Sequence, residues 1–212
     1  MYGSTVSGEF RETDPLKPNS PYSASKAGAD LLVWAYHITY GLNTVVTRGS
    51  NTFGPHQYPE KLVPLFIINA INNEALPLYG KGKQVRDWLY VDDHCSAIDL
   101  VIHVGRAGEI YNVGGGNEKE NIEIVRELLG LLGKSENLIR LVQDRPGHDF
   151  RYSINTDKIQ ELGWQPSHDI DSSLSDTVRW YVKNEWWWRP IIESPLYLKY
   201  FSQQYDTRLR QT

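Results

Sequence analysis

The stretch SPYSASKAGADLLVWAYHITYGLNTVVT, residues 20–47, decides the fold. Ser20 can cap a helix over 22–40, and Pro21 suits its first turn. Leu31, Leu32, Ala35 and Ile38 recur at helical spacing as an apolar stripe. Gly41 is a stop signal. Thr44-Val45-Val46-Thr47 is then short and β-branched, the pattern of a buried strand. A helix feeding a buried strand is the repeating unit of an α/β fold.

The alternation continues outward. Residues 1–20 are polar and turn-rich, a surface loop. Downstream, Gly54-Pro55 breaks the chain before a helix over 62–72. Two strands follow, 76–79 and 86–91, around the turn Gly80-Lys81-Gly82. Asp92-Asp93 can cap a helix reaching about Val104. A strand over 108–113 leads into Gly114-Gly115-Gly116 and a helix over 122–132. Strands over 138–142 and 151–155 and helices over 156–162, 170–184 and 196–204 complete the reading, so the class is α/β.

Bulk properties exclude several functions. The 212 residues carry a net charge of −4, which argues against nucleic acid as a partner. Cys95 is the single cysteine, so no intramolecular disulfide can form and a cytoplasmic setting is the natural expectation. No apolar run nears the roughly 20 residues of a membrane span. Met1–Phe10 lacks the basic-then-apolar pattern of a signal peptide. The six histidines are scattered, and no metal site is predicted. Trp186-Trp187-Trp188 suits helix packing or an interface better than a cofactor box.

Chemistry concentrates at Tyr22 and Lys26. They stand four apart on the predicted helix and so share a face. A tyrosine holds its proton until about pH 10, and an adjacent ammonium favours the phenolate. The pair can therefore take a hydroxyl proton during hydride transfer. An ordinary exposed Tyr and Lys is the plain alternative. The small residues Ser23, Ala24 and Ser25 would let a cofactor approach.

Tyr22 to Lys26 resembles the Tyr-Lys pair of extended short-chain dehydrogenases/reductases. SNTFGP (50–55), PEKLVP (59–64), LPLYG (76–80), RDWLYV (86–91), YNVGG (111–115) and DRPGHD (144–149) resemble, in order, segments of the dTDP-glucose 4,6-dehydratase family. The resemblance implies a Rossmann-type NAD-binding domain with a smaller α/β substrate-binding domain. Residues 1–60 would belong to the first, with about 85–115 returning to it, and 61–212 mainly to the second. It implies NAD as cofactor, held in part by Tyr22, Lys26 and Thr52, with Tyr22 and Lys26 catalytic. It implies dTDP-glucose as substrate and a homodimer built through the helix carrying Tyr22.

For the sugar nucleotide, the resemblance places Arg86 and Arg145 near the diphosphate or its ribose, where a planar fork suits paired phosphate oxygens. Asn51, Lys61, Leu62, Asn121 and His148 fall at other substrate-contacting positions. Pro77, Leu78 and Tyr79 would border the thymine, and Asp144 sits beside Arg145, placed to orient it. The residues alone also admit plainer readings. Arg86 could pair with Asp87 on a surface, Leu78 could be core, Asn121 could only cap a helix, and His148 could be a loop histidine.

A dinucleotide-binding half opens with a strand and a glycine-rich turn into a helix. The sequence has none, and the triple glycine comes too late. The family's T-D-E segment, which supplies the acid and base of dehydration, is also missing ahead of Tyr2-Gly3. The chain is therefore expected to be truncated at its N-terminus and to have negligible dehydratase activity by itself. A non-catalytic nucleotide-sugar binding or dimerisation module is the alternative, as is another nucleotide-sugar epimerase or decarboxylase.

Overall fold

In a computed structural model, which describes residues 1–210, the chain runs α1 (Pro21–Tyr40), β1 (Val46–Gly49), β2 (Asn51–Phe53), α2 (Leu62–Ile71), β3 (Leu76–Tyr79), β4 (Val85–Tyr90), α3 (Val91–Val104) and β5 (Ile110–Val113). It continues β6 (Glu118–Glu120), α4 (Asn121–Leu132), β7 (Ile139–Val142), β8 (Arg151–Tyr152), α5 (Asp157–Gln160), α6 (Ile170–Lys183), α7 (Glu185–Ile192), α8 (Pro195–Phe201) and α9 (Thr207–Leu209). Both ends of α1 follow the sequence signals. The Ser20 hydroxyl accepts from the Ser23 amide, Pro21 opens the first turn, and Gly41 closes the helix with φ of 65°. The apolar stripe behaves otherwise. Leu31, Leu32 and Ile38 are exposed, and Ala27 alone is buried on this helix.

Two compact units interleave along the chain. Unit 1 comprises residues 1–52, 84–119 and 146–170; unit 2 comprises 53–83, 120–145 and 171–212. The first segment of unit 1 ends at Thr52. Residues 146–170 go with unit 1 because β8 pairs in parallel with β4, Val85 opposite Arg151 and Arg86 opposite Tyr152.

In unit 1, β1 pairs in parallel with β5, Val46 opposite Ile110 through Gly49 opposite Val113. Leu89, Ala97, Val101, Tyr111, Val113, Ile159 and Trp164 form its core. A cleft of about 330 Å³ lies between α1 and the β1–β5 pair, walled by Leu31, Trp34, Val46 and Ile110; none of the predicted site residues lines it. A buried polar network ties this unit together. Arg48 on β1 donates to Asp30 Oδ2 of α1 at 2.7 Å and to the Tyr2 hydroxyl at 2.6 Å. The Tyr2 hydroxyl donates in turn to Asn112 Oδ1 on β5 at 2.8 Å.

Asp93 was expected to cap α3. Tyr90 is the N-cap residue instead, and Asp93 lies in the first helical turn. Its buried carboxylate accepts from the Ser167 amide and hydroxyl, the His168 amide and His168 Nδ1. Burial opposes its charge, yet those hydrogen bonds outweigh it and hold the carboxyl below its ordinary value.

In unit 2, β3 pairs in parallel with β7, Leu76 opposite Ile139 through Tyr79 opposite Val142. Helix α2 packs on α4 and is buried from Val63 to Ala70. Asn121 was read as a possible cap for α4. It is the first helical residue, and Glu120 and Glu123 form a reciprocal capping box in front of it. The tryptophans at 186–188 fall on α7, which the sequence reading did not single out. Trp188 is fully buried and donates to the Tyr181 carbonyl at 2.8 Å; Trp187 packs on Trp180 and His56, and Trp186 is exposed.

Candidate active site

The predicted binding residues divide between the units. Asn51, Arg86 and His148 lie in unit 1; Lys61, Leu62, Pro77, Leu78, Tyr79, Asn121, Asp144 and Arg145 lie in unit 2. Each group is built by its own strands.

In unit 1, Tyr22 and Lys26 occupy successive turns at the start of α1, and both side chains are exposed, Tyr22 by 70%. A phenol and an ammonium on one open face are available to a bound partner. Thr52, on β2, sets its hydroxyl 2.7 Å from His94 Nδ1 on α3. Space for that ring comes from Gly49, where an added Cβ would lie 2.6 Å from His94 Cε1. His94 escaped the sequence reading, since nothing local marks it.

Burial pushes the His94 imidazole below its ordinary value. The folded state thus prefers neutral His94. Its contribution to stability is full above the unfolded value, about 6.5, and is lost as pH falls from there through the folded value. Between pH 7.5 and 5.5, the melting temperature of the native chain should drop further than that of His94→Gln. Parallel drops would show that the ring titrates without consequence.

Arg86 is 5% exposed. Its Nη1 donates to the Val85 and Phe150 carbonyls at 2.7 and 3.2 Å, and its Nη2 to the Asp149 carbonyl at 2.7 Å. The guanidinium carbon sits 4.7 Å over the Tyr152 ring, and the Tyr152 hydroxyl donates to Asn51 Oδ1. The structure thus joins Asn51 and Arg86 through Tyr152, a residue the sequence offered only as part of a strand. Asp87 does not form a surface pair with Arg86. It is buried, and its two oxygens accept from the amides of Gly115 at 2.9 Å and Asn117 at 2.8 Å. Burial pushes this carboxyl upward.

Those bonds settle what the triple glycine can do. A phosphate loop offers its amides to an anion. Here the Gly115 and Asn117 amides already serve the Asp87 carboxylate, and a Cβ at Gly115 would lie 2.1 Å from the Trp88 carbonyl oxygen. The loop is a packing element. The chemistry open to a cofactor in this unit is the exposed phenol and ammonium of Tyr22 and Lys26. Among the described residues no glycine-rich strand–turn–helix stands ready for the pyrophosphate of NAD.

In unit 2, the Arg145 guanidinium carbon lies 4.9 Å over the Tyr79 ring, and the Arg145 amide donates to Asp144 Oδ1 at 2.8 Å. A second guanidinium, from Arg208, lies 5.6 Å over the same ring, with Tyr205 at 6.1 Å. Arg208 had no sequence signal, being one cation in a polar tail. Pro77 and Leu78 are buried on β3. Lys61 precedes α2 and pairs with Glu60 at 2.9 Å, and Leu62 is the first helical residue. Asn121 is only 7% exposed, and among the described residues its side-chain oxygen has no hydrogen-bond partner. No group of three His, Cys, Asp or Glu side chains suited to a metal occurs among the described residues.

A family model described as GDP-mannose 4,6 dehydratase matches residues 1–177. A dTDP-glucose 4,6-dehydratase of Streptomyces niveus is 50% identical over 192 residues, covering 90% of this chain and 57% of its own length. Among solved structures, the dTDP-glucose 4,6-dehydratase DesIV of Streptomyces venezuelae, with NAD and TYD bound, is 52% identical with a TM-score of 0.88. It is covered over 59% of its length, and this chain over 90%. The Bacillus anthracis dTDP-glucose 4,6-dehydratase in complex with NAD is 54% identical with a TM-score of 0.85, over 90% of this chain and 61% of that one. The chain thus spans about three fifths of the relatives it matches. With most of its length matched by the family model and its elements superposing on those dehydratases, the chain belongs to the GDP-mannose 4,6-dehydratase family.

Proposed function

We propose that the chain serves the NAD-dependent dehydration of dTDP-glucose to dTDP-4-keto-6-deoxyglucose, contributing the sugar-nucleotide contacts and the Tyr–Lys pair. The observation that carries the nucleotide contacts is Asn121. A buried amide oxygen without a partner is costly, and a ligand donor would satisfy it. Arg86 and Arg145 supply guanidinium forks, each already oriented over a tyrosine ring.

In the redox step Tyr22 takes the proton of the sugar C4 hydroxyl, with Lys26 one turn along to steady the charge that forms. NAD, when bound, supplies the hydride acceptor for C4 and the donor for C6. Thr52, held by His94, belongs to the same cofactor edge. A ketone at C4 acidifies the C5 proton, and loss of water then needs a base and an acid. The sequence carries no T-D-E segment, so that step is assigned to none of these 212 residues. Binding without turnover is accordingly the second reading for the chain by itself.

A homodimer is part of the proposal, built through α1, where Leu31, Leu32, Trp34, Tyr36 and Ile38 are exposed in one helix. So is a cytoplasmic setting. Among the described residues no helix is long and apolar enough to cross a membrane.

Isothermal titration of the 212-residue chain with dTDP, with UDP for comparison, tests the reading. Preferential binding of dTDP is expected, weakened at least tenfold in Asn121→Ala. A folded sample that binds neither nucleotide would remove the assignment.

A further inference from the structure

We propose that Arg208, near the C-terminus, is a second diphosphate-binding guanidinium beside Arg145. This rests on the nucleotide reading above. Tyr79 carries two cations over one ring, Arg145 at 4.9 Å and Arg208 at 5.6 Å. The ring attracts each of them, and two positive charges gathered at one ring raise the potential around it, which draws an anion.

The surroundings of Arg208 point the same way. It is half-buried, and its Nη1 donates to the Gln204 backbone carbonyl and, at 2.9 Å, to Gln204 Oε1. Both acceptors are neutral. Among the described residues Arg208 has no carboxylate partner, whereas half-buried Arg151 pairs with Glu118 at 2.7 Å. A partly desolvated cation without a counter-ion is poised for an anionic ligand. A nucleoside diphosphate fits best, because two planar forks can meet its phosphate oxygens in pairs.

The segment bearing Arg208 is anchored rather than loose. The Tyr197 hydroxyl donates to the Pro59 carbonyl at 3.2 Å, and buried Tyr205 packs on Tyr79 at 6.1 Å. These contacts hold residues 195–209 as a strap beside β3. Arg208 is thus delivered to Tyr79 by packing that is already complete without ligand.

The test is titration of the 212-residue chain and of Arg208→Met and Arg208→Lys with dTDP and, separately, with thymidine. Arg208→Met should bind dTDP at least tenfold more weakly at an unchanged melting temperature, and thymidine as before. Arg208→Lys should recover part of the dTDP affinity, because charge is retained without the fork. Equal dTDP binding by the native chain and Arg208→Met would overturn the proposal while leaving the nucleotide reading intact. Equal weakening for dTDP and thymidine would also overturn it, placing the residue's role in the strap or the base contact. No dTDP binding by the native chain would overturn both.

Discussion

Arg48→Ala should destabilise the chain by about 3–5 kcal/mol, the usual cost of breaking a buried ion pair from one side. Arg48 is 6% exposed, and its partner Asp30 is nearly as well buried. Without the guanidinium, the Asp30 carboxylate is left without its ion-pair partner in a poorly solvated site, and the Tyr2 hydroxyl loses a donor at 2.6 Å. The damage spreads because the network joins the N-terminal segment, α1, β1 and β5. Chemical denaturation of the native and variant chains measures the difference. A loss under about 1 kcal/mol, the range of an exposed pair, would mean that the network is not the tie it is taken for. The half-exposed Arg126–Glu136 pair provides that comparison.

Arg86→Ala should fail twice, in stability and in ligand binding. The side chain serves three backbone carbonyls, and each loss leaves a poorly solvated acceptor. At about 1 kcal/mol per neutral bond, and more where the donor is charged, the sum is on the order of 3 kcal/mol. The link from β4 to residues 149–150 and the ring contact with Tyr152 go with it. Binding of dTDP should fall below detection. Arg86→Lys separates the two effects, for an ammonium keeps the charge but cannot span the three carbonyls. A lysine variant with native stability would show the fork to be dispensable to the fold. Native dTDP binding in Arg86→Ala would refute its part in the ligand site.

Legibility in the sequence followed the range of the interaction. Helix α1 was readable end to end, because Ser20, Pro21 and Gly41 act on their own neighbours. The strand Leu76–Tyr79 and the helix from Leu62 were equally local. Asp92-Asp93 misled, since an acidic residue near a helix start suits a cap, while Asp93 is used by a loop 74 residues away. Asn121 misled for the converse reason: Glu120 and Glu123 satisfied the helix end first. Tyr22 and Lys26 were visible as a spaced pair. Tyr152, His94 and Arg208 were not, because their roles come from residues 101, 42 and 129 positions distant. A tyrosine, a histidine and an arginine have too many other uses for composition to single them out.

The interleaving of the two units also bears on how the chain emerges from a ribosome. Strand β1 ends at Gly49 and waits for β5, which begins at Ile110, while β3 waits for Ile139. At about 5–20 residues per second, a gap of roughly 60 residues leaves each strand without its partner for some 3–12 s. Neither unit can close early, because unit 1 takes residues up to 170 and unit 2 takes the tail beyond them. Parallel pairing across such gaps is slow even for a finished chain. During synthesis, the half-made product offers strand edges and the apolar side of α1 together, the surfaces that a holding chaperone grips.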